Sequence, residues 1–332
     1  MPTRAVWLLV VLGCARVGAL TDAILGTATR AGRAAGAIIA KKVRHLPSLS
    51  SCLVLSLSVV LTGRLQVGAD VIKTKAGARD LLTAVDAECQ AAIEACVAQD
   101  HPTHAFLGEE SVAAGAKASA EALDAAMAAS ASEYLWIVDP IDGTTNFVQS
   151  LPLVGVSIGV ARRTSTGSGA WELVVGVIVD PFKDEVFAAV AGGGASLNGA
   201  PIRVGDEPLE EAVVATGFAP NEASLRPMVR GIGAVGARAR TVRMLGSAAI
   251  MLAWVACGRL SAYFEADLNA WDTAGGVLLV REAGGVVTDL EGGPFGIATR
   301  PLLASNPVAH AQLAETLVEA GVVGLDVVGD ED

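Results

Sequence analysis

Two carboxylates three residues apart, Asp139 and Asp142, bracket Pro140 and precede Gly143-Thr144-Thr145-Asn146. Carboxylate oxygens suit a hard cation such as Mg²⁺. Thr144 to Asn146 read as the opening of a helix, where backbone N–H groups lack internal partners and a phosphate can be held. A cation and a phosphate group would thus sit side by side in one turn. Other acids stand in comparable places. Glu109 follows the short apolar run at 105–107, Glu265 ends a strand, and Asp272 begins a helix that Gly284-Gly285 stops. Taken singly, each has an ordinary explanation as a helix cap or a solvated charge. Taken together, Glu109, Asp139, Asp142 and Asp272 fall at strand ends or helix starts, where α/β sheets gather ligands. No histidine or cysteine accompanies them, so the set indicates oxygen-only coordination, by Mg²⁺ or Mn²⁺ rather than zinc. Four acids around one point repel one another without cations. A pair of Mg²⁺ ions would neutralise them and clamp the attacking and leaving oxygens of a phosphoryl group. The expected chemistry is hydrolysis by an activated water, with no covalent enzyme intermediate.

The elements that position these acids follow from periodicity and turn residues. An apolar run at 135–138 delivers Asp139 to a strand end, and Pro140, which cannot continue a ladder, predicts a turn there. Residues 21–42 read as an amphipathic helix capped by Thr21, with Lys41-Lys42 near its end. Short strands are expected at 71–75 and 81–82, and a helix from Asp86 to about residue 99. The Ala-rich stretch 112–133 reads as a loop with a short helix. Strand-like runs at 154–161, 172–179, 185–191 and 201–204, with a turn at Asn198-Gly199, indicate antiparallel sheet. Charge and Pro208 interrupt the pattern at 205–211. Beyond it, strands at 212–216, 241–244, 260–265, 285–289 and 301–304 alternate with helices at 247–257, 272–283 and 306–320, which indicates α/β layering. The division expected is a targeting segment at 1–19, an α+β part at 20–207 holding the main metal site, and an α/β part at 208–326 supplying Glu265 and Asp272. Within 1–19, Arg4 precedes an apolar run and Val17-Gly18-Ala19 offers a small-residue cleavage site, as in a secretory or organellar address.

Composition narrows the classes. The 332 residues are 52% hydrophobic, enough for a full globular core. A net charge of −11 argues against a nucleic-acid surface. The cysteines, Cys14, Cys52, Cys89, Cys96 and Cys257, form no C-x-x-C pair, so neither a zinc site nor a disulfide framework is indicated. None of the histidines, His45, His101, His104 and His310, lies in a chemical motif. The apolar run at 52–61 is too short to span a bilayer, so no stable membrane insertion is expected.

Gly108-Glu109-Glu110-Ser111, then the run Trp136-Ile137-Val138-Asp139-Pro140-Ile141-Asp142-Gly143-Thr144-Thr145-Asn146-Phe147, then Trp271-Asp272-Thr273-Ala274-Gly275-Gly276, then Glu282-Ala283-Gly284-Gly285, resemble the inositol monophosphatase family in order and spacing. Thr83-Ala84-Val85-Asp86 resembles that family's upstream acidic motif. The likeness covers about residues 67–320. It implies a layered αβαβα sandwich, two or three Mg²⁺ ions with Mn²⁺ as a substitute, inhibition by Li⁺ and a homodimer. It also implies roles. Glu109, Asp139 and the carbonyl of Ile141 would hold the first ion, and Asp139, Asp142 and Asp272 the second. Glu109 would also touch a third. Thr144, backed by Asp86, would orient the attacking water and help deprotonate it. The N–H groups of Gly143 and Thr144 would hold the phosphate. Asp142, Asp272, Glu265 and the backbone near Ala248 would meet the substrate, and Lys75 aligns with a lysine near the site.

Departures from the family pattern are the stretch 43–66, read as a surface loop, an insertion or a retained intron, Gln149 in place of a common histidine, and Asn269 in a variable substrate loop. The expected substrate is a small polyol or sugar phosphomonoester, first of all myo-inositol 1-phosphate, with L-galactose 1-phosphate and histidinol phosphate as rivals. From another class, a catalytically inactive phosphate-binding relative would keep the fold and lack turnover.

Overall fold

The computed structural model describes residues 4–44, 71–74, 81–129, 132–164, 170–219 and 221–322. Lys75, His45, and residues 45–66 of the departing stretch lie outside them. Helix α1 (Arg4–Arg44) runs without a break through the apolar leader-like stretch into the amphipathic one. Its Ile24, Ala28, Ala31, Ala35 and Ile39 recur at helical spacing and are fully buried. Full burial of an isoleucine contributes roughly 1.5–3 kcal/mol, so packing rather than propensity holds this helix in place. A small hairpin, β1 (Val71–Thr74) with β2 (Leu81–Thr83), leads into α2 (Ala84–Asp100). Next come β3 (Ala105–Gly108), α3 (Ala116–Ala129), β4 (Tyr134–Asp142) and the short α4 (Thr144–Val148). Strands β5 (Gly155–Arg163), β6 (Trp171–Asp180), β7 (Glu185–Val190), β8 (Gly194–Leu197) and β9 (Ala200–Ile202) then meander. They complete a seven-stranded sheet, β3-β4-β5-β6-β7-β8-β9, antiparallel except for the parallel pair of β3 with β4.

The second half alternates β10 (Val213–Thr216), α5 (Glu222–Gly236), β11 (Thr241–Met244), α6 (Ala248–Ala256), β12 (Ala262–Glu265) and α7 (Ala270–Glu282). It closes with β13 (Val286–Thr288), β14 (Leu302–Ser305) and α8 (His310–Glu319). Its sheet runs β11-β10-β12-β14-β13. Three of the four apolar cores among the described residues define five layers. One joins α1 and α2 to the outer face of the large sheet. The next joins the inner face to α6, α7 and the second sheet. The third joins the second sheet to α5 and α8. This is the αβαβα sandwich, and α7 is apolar on nearly every side because it lies between two sheets. Gly159 on β5 faces Ala274 on α7. A Cβ there would overlap that alanine, so the helix can lie directly on the strand only over glycine.

Several expectations need correction. The strand does not end before Pro140 but continues to Asp142. Asp139 pairs with Ser157 and Asp142 with Gly155, so three residues advance on β4 for two on β5. Proline is tolerated in this irregularity because the ladder there demands no N–H. The Ala-rich stretch forms a full 14-residue helix, α3. Gly194–Leu197 adds a strand that its two flanking glycines obscured. Helix α5 was absent from the sequence expectation, since Pro227 and three glycines sit inside it. Burial of Met228 and Val235 outweighs that poor propensity.

Candidate active site

Strand pairing brings the first two acids together. Gly108 pairs in parallel register with Val138, so Glu109, just past the end of β3, comes beside Asp139, which lies inside β4. Glu109 then enters a single 3-10 turn, Glu109–Ser111. Asp139 is buried, and its Oδ1 accepts from the Ile141 N–H at 2.9 Å. Ser157, the partner of Asp139 across the ladder, donates its Oγ to the Trp271 carbonyl at 2.9 Å. That bond pins the first turn of α7 beside β4 and so delivers Asp272. Asn269 occupies the cap position, and its N–H donates to Asp272 Oδ2 at 2.7 Å. Asp272 is therefore the third residue of the helix, and its side chain closes a capping box with Asn269. Asp142 is drawn to the N-terminus of α6. Its Oδ2 accepts from Ser247 Oγ at 2.5 Å and from the Ala249 N–H at 2.6 Å. Carboxylate oxygens of Asp139, Asp142 and Asp272 lie within 4.8 Å of one another.

The turn after Asp142 is set by Gly143, whose φ of +96° favours glycine. A Cβ there would also come within 3.0 Å of the carbonyls of Gly246 and Leu153. Thr144 Oγ1 lies 3.1 Å from the Ile141 carbonyl and 3.3 Å from Asp86 Oδ1, and Asp86 is fully buried at the start of α2. Asn146 Nδ2 donates to the carbonyls of Leu153 and Leu245, at 2.8 and 2.7 Å, and so ties the turn to the second half of the chain. Glu265 ends β12, buried, and its Oε2 accepts from Tyr263 Oη at 2.7 Å.

The electrostatics follow from crowding like charges out of water. Burial first, then Glu109, Asp142 and Asp272, hold the Asp139 carboxyl well above the usual range. Burial, then Asp142 and Glu109, raise Asp272 in the same way. Asp142 is pushed up to about 6 by burial, against the pull of Ser247 and Ala249. Burial raises Glu265 to about 8, although the Tyr263 hydroxyl favours its ionised form.

Glu109, Asp139, Ile141, Asp142, Gly143, Thr144, Ala248, Glu265 and Asp272 all line one cleft of about 510 Å³. Asp86 reaches it through Thr144. The Ala248 N–H is turned to Asp142. Asn269 also lines the cleft, where Arg300 Nη1 donates to its Oδ1 at 2.8 Å. Gln149 is exposed and does not line it, and none of the described histidines does. The supports that sequence reasoning missed are Ser247, Ser157 and Tyr263. A serine before an apolar helix is a cap signal that could have pointed to Ser247. The other two carry no local signal, because their partners lie far away or within the same strand.

The donor set fits a hard divalent cation. It is made of oxygen atoms alone, and no lysine or arginine lines the cleft among the described residues to balance the buried acids. Among those residues, no helix is long and apolar enough to cross a membrane.

Comparisons with known proteins agree with this reading. The sequence model of the inositol monophosphatase family matches residues 23–321. Inositol monophosphatase 2 of tomato, Solanum lycopersicum, is 40% identical over 248 residues, 74% of this chain and 86% of that protein. The Nus factor SuhB of Escherichia coli is 34% identical over 295 residues, 88% and 94% of the two chains. Among solved structures, the inositol monophosphatase of Anabaena superposes with a TM-score of 0.66 at 31% identity, covering 91% of this chain and 97% of that one. The catalytic class is therefore that of a phosphoric monoester hydrolase. On the family match and on relatives aligned along most of their length, this chain belongs to the inositol monophosphatase family, metal-dependent phosphatases of small phosphate esters.

Proposed function

We propose that this chain hydrolyses myo-inositol 1-phosphate to inositol and phosphate with Mg²⁺. The observation that carries the reading is the convergence of Asp139, Asp142 and Asp272 from three separate elements, within 4.8 Å, beside Thr144 and Glu265. Glu109, Asp139, the Ile141 carbonyl, Asp142 and Asp272 would hold Mg²⁺, which when bound would supply charge neutralisation at the phosphoryl oxygens and a lowered pKa for the attacking water. Thr144, hydrogen-bonded to Asp86, orients that water and leads its proton towards the buried carboxylate. The N–H groups of Gly143 and Thr144 face the phosphate. Glu265, fixed by Tyr263, meets a hydroxyl of the alcohol portion.

The test is phosphate release with Mg²⁺ from myo-inositol 1-phosphate, L-galactose 1-phosphate and histidinol phosphate. It is run on the full chain and on a variant lacking residues 43–66. Fastest release from the inositol ester supports the reading, and fastest release from another ester names that substrate instead. Tight phosphate binding with no release from any ester reassigns the chain as an inactive relative. Glu265→Ala is expected to raise KM for the polyol phosphate about tenfold and to leave kcat within a few-fold, because it removes a contact made before and during reaction alike. A fall in kcat at constant KM would show that Glu265 acts on the reacting atoms. The same reading includes a homodimer, a targeting role for residues 1–19 and a division of the chain near residue 208. Light scattering and N-terminal sequencing of the native protein test the first two.

A further inference from the structure

Glu109 is the acid with the least support from regular structure. It follows β3, the edge strand of the large sheet, which pairs with β4 on one side only. The 3-10 turn it opens receives no side-chain hydrogen bond from its own cap residue, Gly108. The side chain that meets this turn is Gln90, buried on α2. The Glu110 N–H donates to Gln90 Oε1 at 2.9 Å, and Gln90 Nε2 donates to Ser111 Oγ at 2.8 Å. The backbone N–H demands an acceptor, so the amide can face only one way. A Cβ on Gly108 would overlap Gln90 Oε1, so glycine is needed for the amide to close over the turn. Gln90 stands one helical turn from Asp86, on the same face of α2. One helix face thus braces Thr144 through Asp86 and the Glu109 turn through Gln90.

We infer that Gln90 is a positioning residue for the cation site. Its side-chain amide holds the Glu109–Ser111 turn in the register that presents the Glu109 carboxylate beside Asp139. This rests on the proposed cation site, but concerns a residue that touches neither cation nor substrate. A buried amide is suited to the task because it accepts and donates at once, which neither an ionised glutamate nor leucine can do. Residues that orient metal ligands in this way change metal affinity by about 10–100-fold when replaced.

The test is Mn²⁺ binding to chelator-treated full-length protein, followed by titration calorimetry and by the electron paramagnetic resonance signal of free Mn²⁺. Gln90→Leu is expected to raise the Mn²⁺ dissociation constant about tenfold. Ser111→Ala, which removes only the accepting hydroxyl at an exposed position, is expected to raise it about threefold, with no change in the melting temperature of the chelated protein. In the double variant the Ser111→Ala effect disappears, because both changes cut the same link. Native protein that binds Mn²⁺ while Gln90→Leu binds it equally well overturns this inference alone. A weakened Gln90→Leu with an unaffected Ser111→Ala also overturns it, because the loss then reflects disturbed packing of α2. Native protein that binds no Mn²⁺ overturns the site reading, and this inference with it.

Discussion

Asp139→Asn is expected to abolish turnover while leaving the fold intact. The substitution keeps the shape of the side chain and removes the charge that would bridge two cations. Charge stabilisation of that kind is worth several kcal/mol, and about 4 kcal/mol corresponds to roughly a thousandfold in rate. The same change relieves the native state. Burial and three neighbouring acids hold this carboxyl far above its ordinary range, so ionising it costs free energy that a neutral amide does not. The melting temperature measured in chelator should therefore rise by a few degrees as activity disappears. Activity near that of the native protein would remove Asp139 from the site.

Removing divalent cations with a chelator is expected to stop phosphate release, and its effect on stability should depend on pH with a definite sign. The Asp139 and Asp272 carboxyls lie well above 3.8 in the native state, and Asp142 lies at about 6. Between pH 4 and 6 the chelated native state therefore binds more protons than the unfolded chain. Its stability falls as pH rises through that window. Cations compete with those protons for the same oxygens. The rise in melting temperature on adding Mg²⁺ should then be small near pH 5 and several degrees near pH 7.5. A stabilisation by Mg²⁺ that is equal at both pH values, or larger at pH 5, would show that the ion does not bind at these carboxylates.

Much of this site was legible because each acid stands beside a local signal. Asp139 follows a four-residue apolar run, Gly143 marks the turn, and Gly284 marks the end of the helix that Asp272 begins. The antiparallel strands declared themselves through alternation and through the Asn198-Gly199 turn, both of whose residues have positive φ. What was not legible is decided over distance. No neighbour of Ser157 in sequence announces that its hydroxyl will hold the Trp271 carbonyl, and nothing near Gln90 announces Ser111. Helix α5 could not be read because its proline and glycines argue against a helix that only burial against β10 and β12 makes worthwhile. Pro140 misled for the opposite reason. The local rule is sound, but it takes no account of a register irregularity in which the missing N–H costs nothing.

The bonds that assemble the cluster bear on how the protein matures. Ser157 reaches Trp271 across 114 residues of chain, and Ala249 reaches Asp142 across 107. Contacts so distant in sequence close large loops, and loop closure must be met before such contacts stabilise anything. The large sheet can form from the chain up to β9, but until α6 and α7 arrive its inner face stays wet and the acids stay apart. Any cation held by these acids would therefore be captured at the end of folding and not at its start. During synthesis, a ribosome-bound chain that has not yet emitted Asp272 would be open to aggregation and inert to Mg²⁺. An ion held by Asp139, Asp142 and Asp272 would then mark finished molecules, because those three acids meet only once β4, α6 and α7 have packed together.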